Sequence, residues 1–139
     1  MDKTGIDKKV SIVIPVCNQL GYMRVCMDYL FKNTLEAFEL IIVDNGSRDG
    51  TVRYFEKLSQ KTDIKYIRNE RNFGPIVALN QGIAQSSNPI ICTMHNDLIV
   101  FEKNWLRKLV SLIESDQSIG LIGFAGRKTI DKRGVVDEK

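Results

Sequence analysis

Short apolar runs alternate along the chain with longer segments in which apolar residues recur every three or four positions. Continuous or alternating apolar runs are typical of strands, and a period near 3.6 is typical of amphipathic helices. The predicted strands cover residues 10–16, 38–43, 64–67, 90–94 and 119–124. The predicted helices cover about 20–32, 51–58, 75–85 and 105–113.

Regular alternation of strands and helices predicts an α/β fold with a mostly parallel central sheet flanked by helices. The run 10–16 is apolar at nearly every position, which fits a central strand covered on both faces. Pro15 lacks an amide donor, so we expect the strand ladder to end near it. We find no internal repeat or linker, and a single domain over 1–139 is the economical interpretation.

Composition narrows the class of protein. The 139 residues are 43% hydrophobic, which supports a real core, and the net charge of +3 comes from dispersed basic residues. This does not fit a nucleic-acid-binding surface, and the basic segment 127–133 is predicted to be a solvated tail. Three cysteines without CxxC spacing indicate neither zinc nor disulfides. With no signal peptide or bilayer-length apolar run, we expect a cytoplasmic protein.

Acidic residues follow two of the predicted strands. Asp44 ends the run 40–44, and Asp97 closes the polar triplet after the run 90–94. Ligands of parallel α/β sheets bind beyond the carboxyl ends of the strands. We therefore expect Asp44 and Asp97 to lie on one rim and serve one ligand. The alternative is a purely structural role, because Asn, Gly, Ser and Asp are common turn residues. Asp49 in particular is predicted to cap a helix.

Several functions are excluded by missing motifs. No GxGxxG follows the first strand, and no GxxxxGK[ST] is present, which excludes the common dinucleotide and P-loop fingerprints. The first strand also lacks the acidic pair of a receiver domain. No GxSxG surrounds a serine, and His95 is the single histidine, which argues against a Ser-His-Asp hydrolase.

Four motifs in order carry a resemblance to a known family. They are 13–18 (VIPVCN), 43–51 (VDNGSRDGT), 72–83 (NFGPIVALNQGI) and 95–97 (HND). Together they resemble family-2 glycosyltransferases of the GT-A fold, over about 10–124. The resemblance implies a domain that binds a UDP-, GDP- or dTDP-sugar. It also implies inverting transfer of the sugar to a glycan or lipid-linked acceptor, as in cell-surface polysaccharide biosynthesis.

The resemblance also implies residue roles. The Asp44 carboxylate would accept a hydrogen bond from the imide of the base, since a carboxylate is an acceptor only. Asp97 takes the last position of a DxD-like motif, where it would bind Mg²⁺ or Mn²⁺ bridging the diphosphate. Pro15, Val16 and Asn18 would line the base and ribose. The implied donor-binding residues are Pro15, Val16, Asn18, Asp44, Asn45, Asn72, Gly74 and Asn96.

The chain departs from the family pattern at three points. His95 replaces the first acid of DxD, and is either a second metal ligand, a ribose or phosphate partner, or a plain strand-end residue. Leu79 stands where many relatives carry an arginine, so Arg68 or Arg71 would have to supply positive charge. No catalytic base is identifiable, because none of Asp131, Asp137 and Glu138 lies in a base motif and the acceptor-binding half is largely absent.

Two functional hypotheses therefore stay open. One is a glycosyltransferase domain whose acceptor chemistry is completed elsewhere, for example by a complementing partner chain. The other is a non-catalytic nucleotide-sugar-binding or assembly module. A lipid-linked acceptor would place the protein at the inner face of the membrane, and a sheet edge left open after residue 124 would favour homo-oligomers.

Overall fold

The computed structural model of the chain describes residues 9–124, and its strands and helices alternate throughout. The elements are β1 (Val10–Val16), α1 (Leu20–Asn33), β2 (Glu39–Asp44), α2 (Thr51–Ser59), β3 (Ile64–Arg68), α3 (Pro75–Ala84), β4 (Ile90–Thr93) and α4 (Trp105–Ser115). Each of the first eight elements predicted from the sequence is present, with ends shifted by at most about two residues. The basic segment 127–133 and the acidic residues Asp131, Asp137 and Glu138 lie outside the described residues.

The four strands form one parallel sheet in the order β3-β2-β1-β4. In β1, Ile12, Val13 and Ile14 are fully buried, although successive side chains point to opposite faces. Both faces of the central strands are therefore covered, as in other parallel sheets. On one face, Ala78 of α3 packs on Val13 and Val43. The predicted α/β fold with a parallel sheet is confirmed.

Pro15 lies one residue before the end of β1, so the strand ends near it, as predicted. The strand continues to Val16, whose carbonyl accepts the Asn45 amide at 2.7 Å on the β2 side. The Val13 carbonyl accepts the Met94 amide on the opposite side, at the last pair between β1 and β4. Residues two apart face the same neighbour, so the nitrogen of Pro15 points towards β4 where pairing has already stopped. The missing donor therefore breaks no ladder bond.

Glu39 joins the beginnings of the strands at the amino edge of the sheet. Its carboxylate accepts hydrogen bonds from the hydroxyl of Ser11 at 2.5 Å and the amide of Ser87 at 2.9 Å, and pairs with Lys65 at 2.5 Å. Burial raises the pKa of Glu39, but these donors outweigh burial and lower the pKa to about 2. Segments from β1, β2, β3 and the turn before β4 are thereby fixed at one point.

The fifth predicted strand, 119–124, is not a strand in the structure. Leu121 and Phe124 are 89% and 77% exposed, so the run is not buried against a core within the described residues. Two glycines, Gly120 and Gly123, weaken its strand preference, and an apolar run becomes a strand only when a neighbouring strand pairs with it. The expected end of the sheet after a fifth strand is thus corrected to a sheet of four strands among residues 9–124.

The chain divides into two compact units, one up to Lys108 and one from Leu109. The first contains the whole sheet. The second contains the end of α4 and a turn in which the Asp116 carboxylate accepts the Ser118 amide at 2.8 Å. The single-domain prediction for 1–139 stays a prediction. Among the described helices, the longest has 14 residues, and none has the length and apolar character of a membrane span.

Candidate functional site

The loops after β1 and β2 are bonded to each other at the carboxyl edge of the sheet. The Asn18 amide donates to the hydroxyl of Ser47 at 2.7 Å, and the Arg48 amide donates back to the side-chain oxygen of Asn18 at 2.7 Å. Asn18 and Gln19 adopt left-handed backbone angles, with φ of 58° and 60°. Non-glycine residues rarely take this conformation, so the reciprocal bonds to Asn18 stabilise an unusual turn.

Asp44 is the buried anchor of this edge. It is fully buried, and its Oδ1 accepts the Ser47 amide at 2.8 Å. Its Oδ2 accepts the hydroxyl of Tyr66 at 2.6 Å and lies 3.8 Å from Nε of Arg68. Burial and the bond to Asp44 raise the pKa of Tyr66 well above its usual value, so this hydroxyl stays a donor. Both carboxylate oxygens are thus engaged by protein donors, and a base could reach Asp44 only if Tyr66 moved.

A cluster of side-chain amides joins the loops after β2 and β3. The Asn45 side chain donates to Asn72 at 2.8 Å and to the Gly74 carbonyl at 3.0 Å. Its oxygen accepts the Asn69 amide group and the Phe73 backbone amide, both at 3.1 Å. Asn45 is 3% exposed and so organises the loop, whereas Asn72 is exposed and faces solvent. Three predicted site residues are therefore brought together, with the buried Asn69 as a fourth that sequence reasoning missed.

Asn69 also connects the amide cluster to α3. Its side chain and that of Gln81 exchange two hydrogen bonds of 2.7 and 3.0 Å. The only hint in the sequence was a pair of amides 12 residues apart, Asn69 just before the third motif and Gln81 within it. That spacing has no meaning until the chain turns back into a helix.

Gly46 brings the same two loops into backbone contact. Its φ is +80°, and a Cβ built there would lie 2.6 Å from the Cα and carbonyl carbon of Arg71. A side chain fits neither the angle nor the space. This position therefore requires glycine for two independent reasons.

Asp49 was predicted to cap α2; the N-cap position is Gly50, and Asp49 accepts the first backbone amide of both α2 and α1 from outside it. Its Oδ1 accepts the Thr51 amide at 2.9 Å at the start of α2, and its Oδ2 accepts the Leu20 amide at 3.1 Å at the start of α1. Burial raises the pKa of Asp49, but the Thr51 and Leu20 bonds outweigh it and the pKa is lowered. Its carboxylate is thus committed to the fold.

The triplet after β4 forms a turn at the same edge of the sheet. The His95 carbonyl lies 3.9 Å from the thiol of Cys26, which places the triplet beside α1. Burial and the nearby charge of Asp97 raise the pKa of Cys26 to about 11. His95 and Asp97 are exposed, and the buried Nδ2 of Asn96 has no acceptor within residues 9–124.

The metal-binding side chains at the carboxyl edge of the sheet limit which metal ion can bind there. Among residues 9–124 there is no group of three or more His, Cys, Asp or Glu side chains placed to bind an ion. A closed protein site is therefore not formed there. One exposed carboxylate at Asp97 does fit Mg²⁺ or Mn²⁺ that takes its other ligands from phosphates and water.

The remaining predicted residues differ in accessibility. Val16 is 2% exposed and contributes its backbone rather than its side chain to the edge, while Pro15 is half-buried. Arg68 donates to the Ser47 carbonyl at 3.1 Å besides facing Asp44. The exposed Arg71 lies 4.9 Å over the ring of Phe73. Arg71 is therefore the more available cation beside the amide cluster.

Residues 11–135 match the family model described as glycosyl transferase family 2. The chain belongs to this family. The glycosyltransferase AglE of Haloferax volcanii is 30% identical over 133 residues, which are 94% of this chain and 43% of AglE. Glycosyltransferase GlyG of Streptococcus pneumoniae serotype 4 is 27% identical over 82% of this chain and 38% of its own length. The chain thus spans less than half the length of these relatives.

Solved structures show the same fold. S. aureus TarS 1-349 in complex with UDP superposes with a TM-score of 0.69 at 24% identity, over 87% of this chain and 38% of TarS 1-349. The mannosyltransferase PcManGT of Pyrobaculum calidifontis, in complex with GDP-Man and Mn²⁺, gives a TM-score of 0.71 at 18% identity, over 84% of this chain and 36% of PcManGT. This glycosyltransferase domain therefore has the GT-A type of fold.

Proposed function

We propose that this family 2 glycosyltransferase domain binds a nucleotide-diphospho-sugar at the carboxyl edge of its sheet and transfers the sugar to a glycan or lipid-linked acceptor. The observation that carries the proposal is that the loops after β1, β2 and β3 are hydrogen-bonded to one another. We call these bonded loops the wall of the site. Ligands of parallel α/β sheets bind at such an edge. The similar structures that hold UDP or GDP-Man support a nucleotide-sugar as the ligand.

The nucleotide half of the donor would contact the exposed polar groups of this wall. Asn18 and Asn72 are exposed and carry free amide or carbonyl capacity towards a base and ribose. Gly74 and Pro15 supply backbone and ring surface beside them. Asp44 is buried and stabilises the wall by accepting a hydrogen bond from the Ser47 amide. In this refined proposal it accepts from the base imide only if the Tyr66 hydroxyl turns away.

The diphosphate would lie towards the triplet after β4. Asp97 would ligate Mg²⁺ or Mn²⁺, with His95 as the second candidate, and Asn96 would donate its unpartnered amide to a phosphate oxygen. When bound, the ion neutralises charge that develops on the departing nucleoside diphosphate. The exposed Arg71 would add positive charge near the diphosphate.

Inverting transfer requires a base that takes the proton of the acceptor hydroxyl. We assign this base to no residue among 9–124; the buried carboxylate of Asp44 is bonded to Ser47 and Tyr66. The alternative is a non-catalytic nucleotide-sugar-binding or assembly module. The three cysteines are free thiols, which fits the reducing cytoplasm. We place the domain there, and at the inner face of the membrane if the acceptor is lipid-linked.

Thermal unfolding tests the donor site. We expect UDP, GDP or dTDP, or one of their sugars, to raise the melting temperature in the presence of Mn²⁺, because a ligand that binds only the folded state stabilises it. Asp97→Asn should lose the Mn²⁺-dependent part of the increase. Asp28→Asn, an exposed carboxylate on α1, is the matched control and should keep it.

The same samples separate the two functional hypotheses. Release of nucleoside diphosphate in the presence of an acceptor extract would support transfer by this chain. Donor binding without release supports the binding module. Absence of any melting-temperature shift, from protein with a normal circular dichroism spectrum, would refute donor binding altogether.

A further inference from the structure

A concave site lies between α1 and α2. The pocket has a volume of about 390 Å³, and none of the residues predicted for donor or metal binding lines it. Four of its lining residues are basic. They are Arg24 of α1, Arg53 and Lys57 of α2, and Lys61 just after α2. We call this site the α1–α2 pocket.

The spacing of these cations is set by the helix. Arg53, Lys57 and Lys61 follow one another at intervals of four residues, which places Arg53 and Lys57 on one face of α2, about 6 Å apart along its axis. Like charges four residues apart destabilise an isolated helix by a few tenths of a kcal/mol. An anion in the pocket would remove this repulsion.

These four side chains have no counter-ion in the described structure. Other basic residues of the described chain do form ion pairs, namely Lys65, Arg68, Arg107 and Lys108. None of these ion pairs includes a basic residue of the pocket. The nearby carboxylate of Asp49 is already bonded to two backbone amides. Asp28, one turn beyond Arg24, is the acid whose charge reaches the pocket, through Tyr54.

The other side chains that line the pocket can contact the carbon skeleton of a ligand. Leu20, Leu58 and the ring of Tyr54 line it, and the Arg24 guanidinium lies 5.6 Å from the centroid of that ring. Burial and Asp28 raise the pKa of Tyr54, so its hydroxyl is a donor at neutral pH. The volume is within the range of small-molecule sites and exceeds what a bare phosphate ion fills.

We propose that the α1–α2 pocket binds an organic phosphate, with the phosphate held by the cations of Arg24, Arg53 and Lys57 and the carbon skeleton on Tyr54 and the two leucines. Arginine in particular forms paired hydrogen bonds with phosphate oxygens. Apolar side chains and the Tyr54 ring line the pocket beside the cations, which fits a discrete organic molecule with one anionic group. The site is independent of the donor site proposed above.

The test is a titration of ¹⁵N-labelled protein with phenyl phosphate, with inorganic phosphate beside it, followed by amide chemical shifts. We expect saturable shifts confined to Gly50, Tyr54 and their neighbours, with phenyl phosphate binding more tightly than inorganic phosphate. Arg53→Gln/Lys57→Gln should weaken binding at least about tenfold, since each lost charge-assisted bond removes one to three kcal/mol of interaction. Lys32→Gln/Lys103→Gln removes the same charge from exposed positions outside the pocket and should bind as the unaltered protein does.

Three results would overturn the proposal. One is an absence of localised shifts, and another is equal weakening by both double variants, which would indicate only general charge. The third is retention of vesicles of phosphatidylcholine and phosphatidylglycerol that depends on Arg53 and Lys57 when phenyl phosphate does not bind, which would assign the cations to a lipid surface. Asp97→Asn should leave the phenyl phosphate titration unchanged, so that failure of the donor site and failure of this pocket are told apart.

Discussion

At the scale of single residues, one buried carboxylate controls the shape of the candidate site. Asp44 receives donors from its own loop through Ser47 and from β3 through Tyr66. A buried carboxylate is tolerated only when its oxygens are satisfied, and the same bonds fix the direction in which the chain leaves β2. The residue that most resembles a ligand contact in the sequence is therefore the one most involved in holding the loop.

Replacement of Asp44 by Asn should destabilise the domain by about 3 kcal/mol, because the new amide group faces a donor at Ser47 or at Tyr66 and leaves it unsatisfied. Tyr66→Phe should cost less, about 1–2 kcal/mol, since Arg68 still faces the carboxylate. Urea denaturation of both single variants and the double variant measures the coupling. Additive effects would contradict the role given to the Tyr66 bond.

The same pair predicts a response to alkaline pH. The pKa of Tyr66 is raised in the folded state, so the folded protein holds this proton when the unfolded chain has lost it. The stabilisation is complete below the ordinary tyrosine pKa of about 10 and is lost as pH rises above it. In Tyr66→Phe this loss of stability above pH 10 should be smaller, and the part due to Tyr54, Cys26 and Cys92, whose pKa values are also raised by burial, should remain.

At the scale of elements, the two ends of the sheet differ in kind. At the amino edge, one carboxylate, Glu39, bonds segments associated with all four strands. At the carboxyl edge, loops bond to loops and leave exposed amides such as those of Asn18 and Asn72. The amino edge is thus fixed by a charge, and the carboxyl edge is arranged to receive a ligand.

Glu39→Gln should lower stability by about 1–3 kcal/mol at pH 7, because Lys65 loses its charged partner. The pKa of Glu39 is lowered to about 2 in the folded state, from an ordinary value of 4.5. Its contribution is therefore present above pH 4.5 and is lost as pH falls towards 2. Between pH 4.5 and pH 2, the free energy of unfolding should fall less steeply with decreasing pH in Glu39→Gln than in the parent protein, as measured by denaturation. Glu70→Gln, an exposed control, should keep the decline of the parent protein.

Gly46→Ala should destabilise the protein by about 3 kcal/mol, because it combines a strained positive φ with a contact against the backbone of Arg71. Gly21→Ala is the matched control. It lies inside α1 with nothing within 4 Å of a built Cβ, so it should stabilise by about 0.5–1 kcal/mol. Equal effects of the two substitutions would show that the loops after β2 and β3 are not in contact.

The sequence predicted the elements well because their patterns are local. Strand β1 and helix α3 are defined by their own residues, by the apolar run and by Pro75 at the first helical position. The run 119–124 has an equally apolar pattern, but pairing is a property of two segments and could not be judged from one. For the same reason the bonds of Asp44 to Tyr66 and of Asn69 to Gln81 were not foreseen. The positions of the candidate residues were predicted, and their internal partners were not.

At the scale of the whole molecule, protection is uneven. The central residues of β1 and β2 are fully buried, whereas the segment 116–124 has large exposed side chains such as Leu121. Several exposed apolar side chains also lie on the sheet-bearing unit, among them Ile76 and Phe101 at 72% and 75%. Only contiguous exposed apolar patches of several hundred Å² mark interaction surfaces, and single exposed apolar side chains are normal on a protein.

Amide hydrogen exchange should reproduce this unevenness. Amides of Ile12–Ile14 and Ile41–Val43 should exchange at least about a thousandfold more slowly than those of 119–124, because buried strand amides open only with global unfolding. The measurement is made by mass spectrometry or NMR on the whole chain. Equally slow exchange at 119–124 would mean that this run is paired after all, and would restore the fifth strand.

The backbone contact at Gly46 has a consequence for protein engineering. At Gly46 and Arg71 the turn after β2 and the turn after β3 meet through main-chain atoms, and this part of their fit cannot be restored by altering a side chain. The amides of Asn45, Asn69 and Asn72 add side-chain bonds between the same turns. A chimera that takes one of these turns from another glycosyltransferase should therefore be poorly expressed, while one that takes 45–48 and 69–74 together should fold. The two turns are one transplantable cassette, and any search for altered donor preference should vary them jointly.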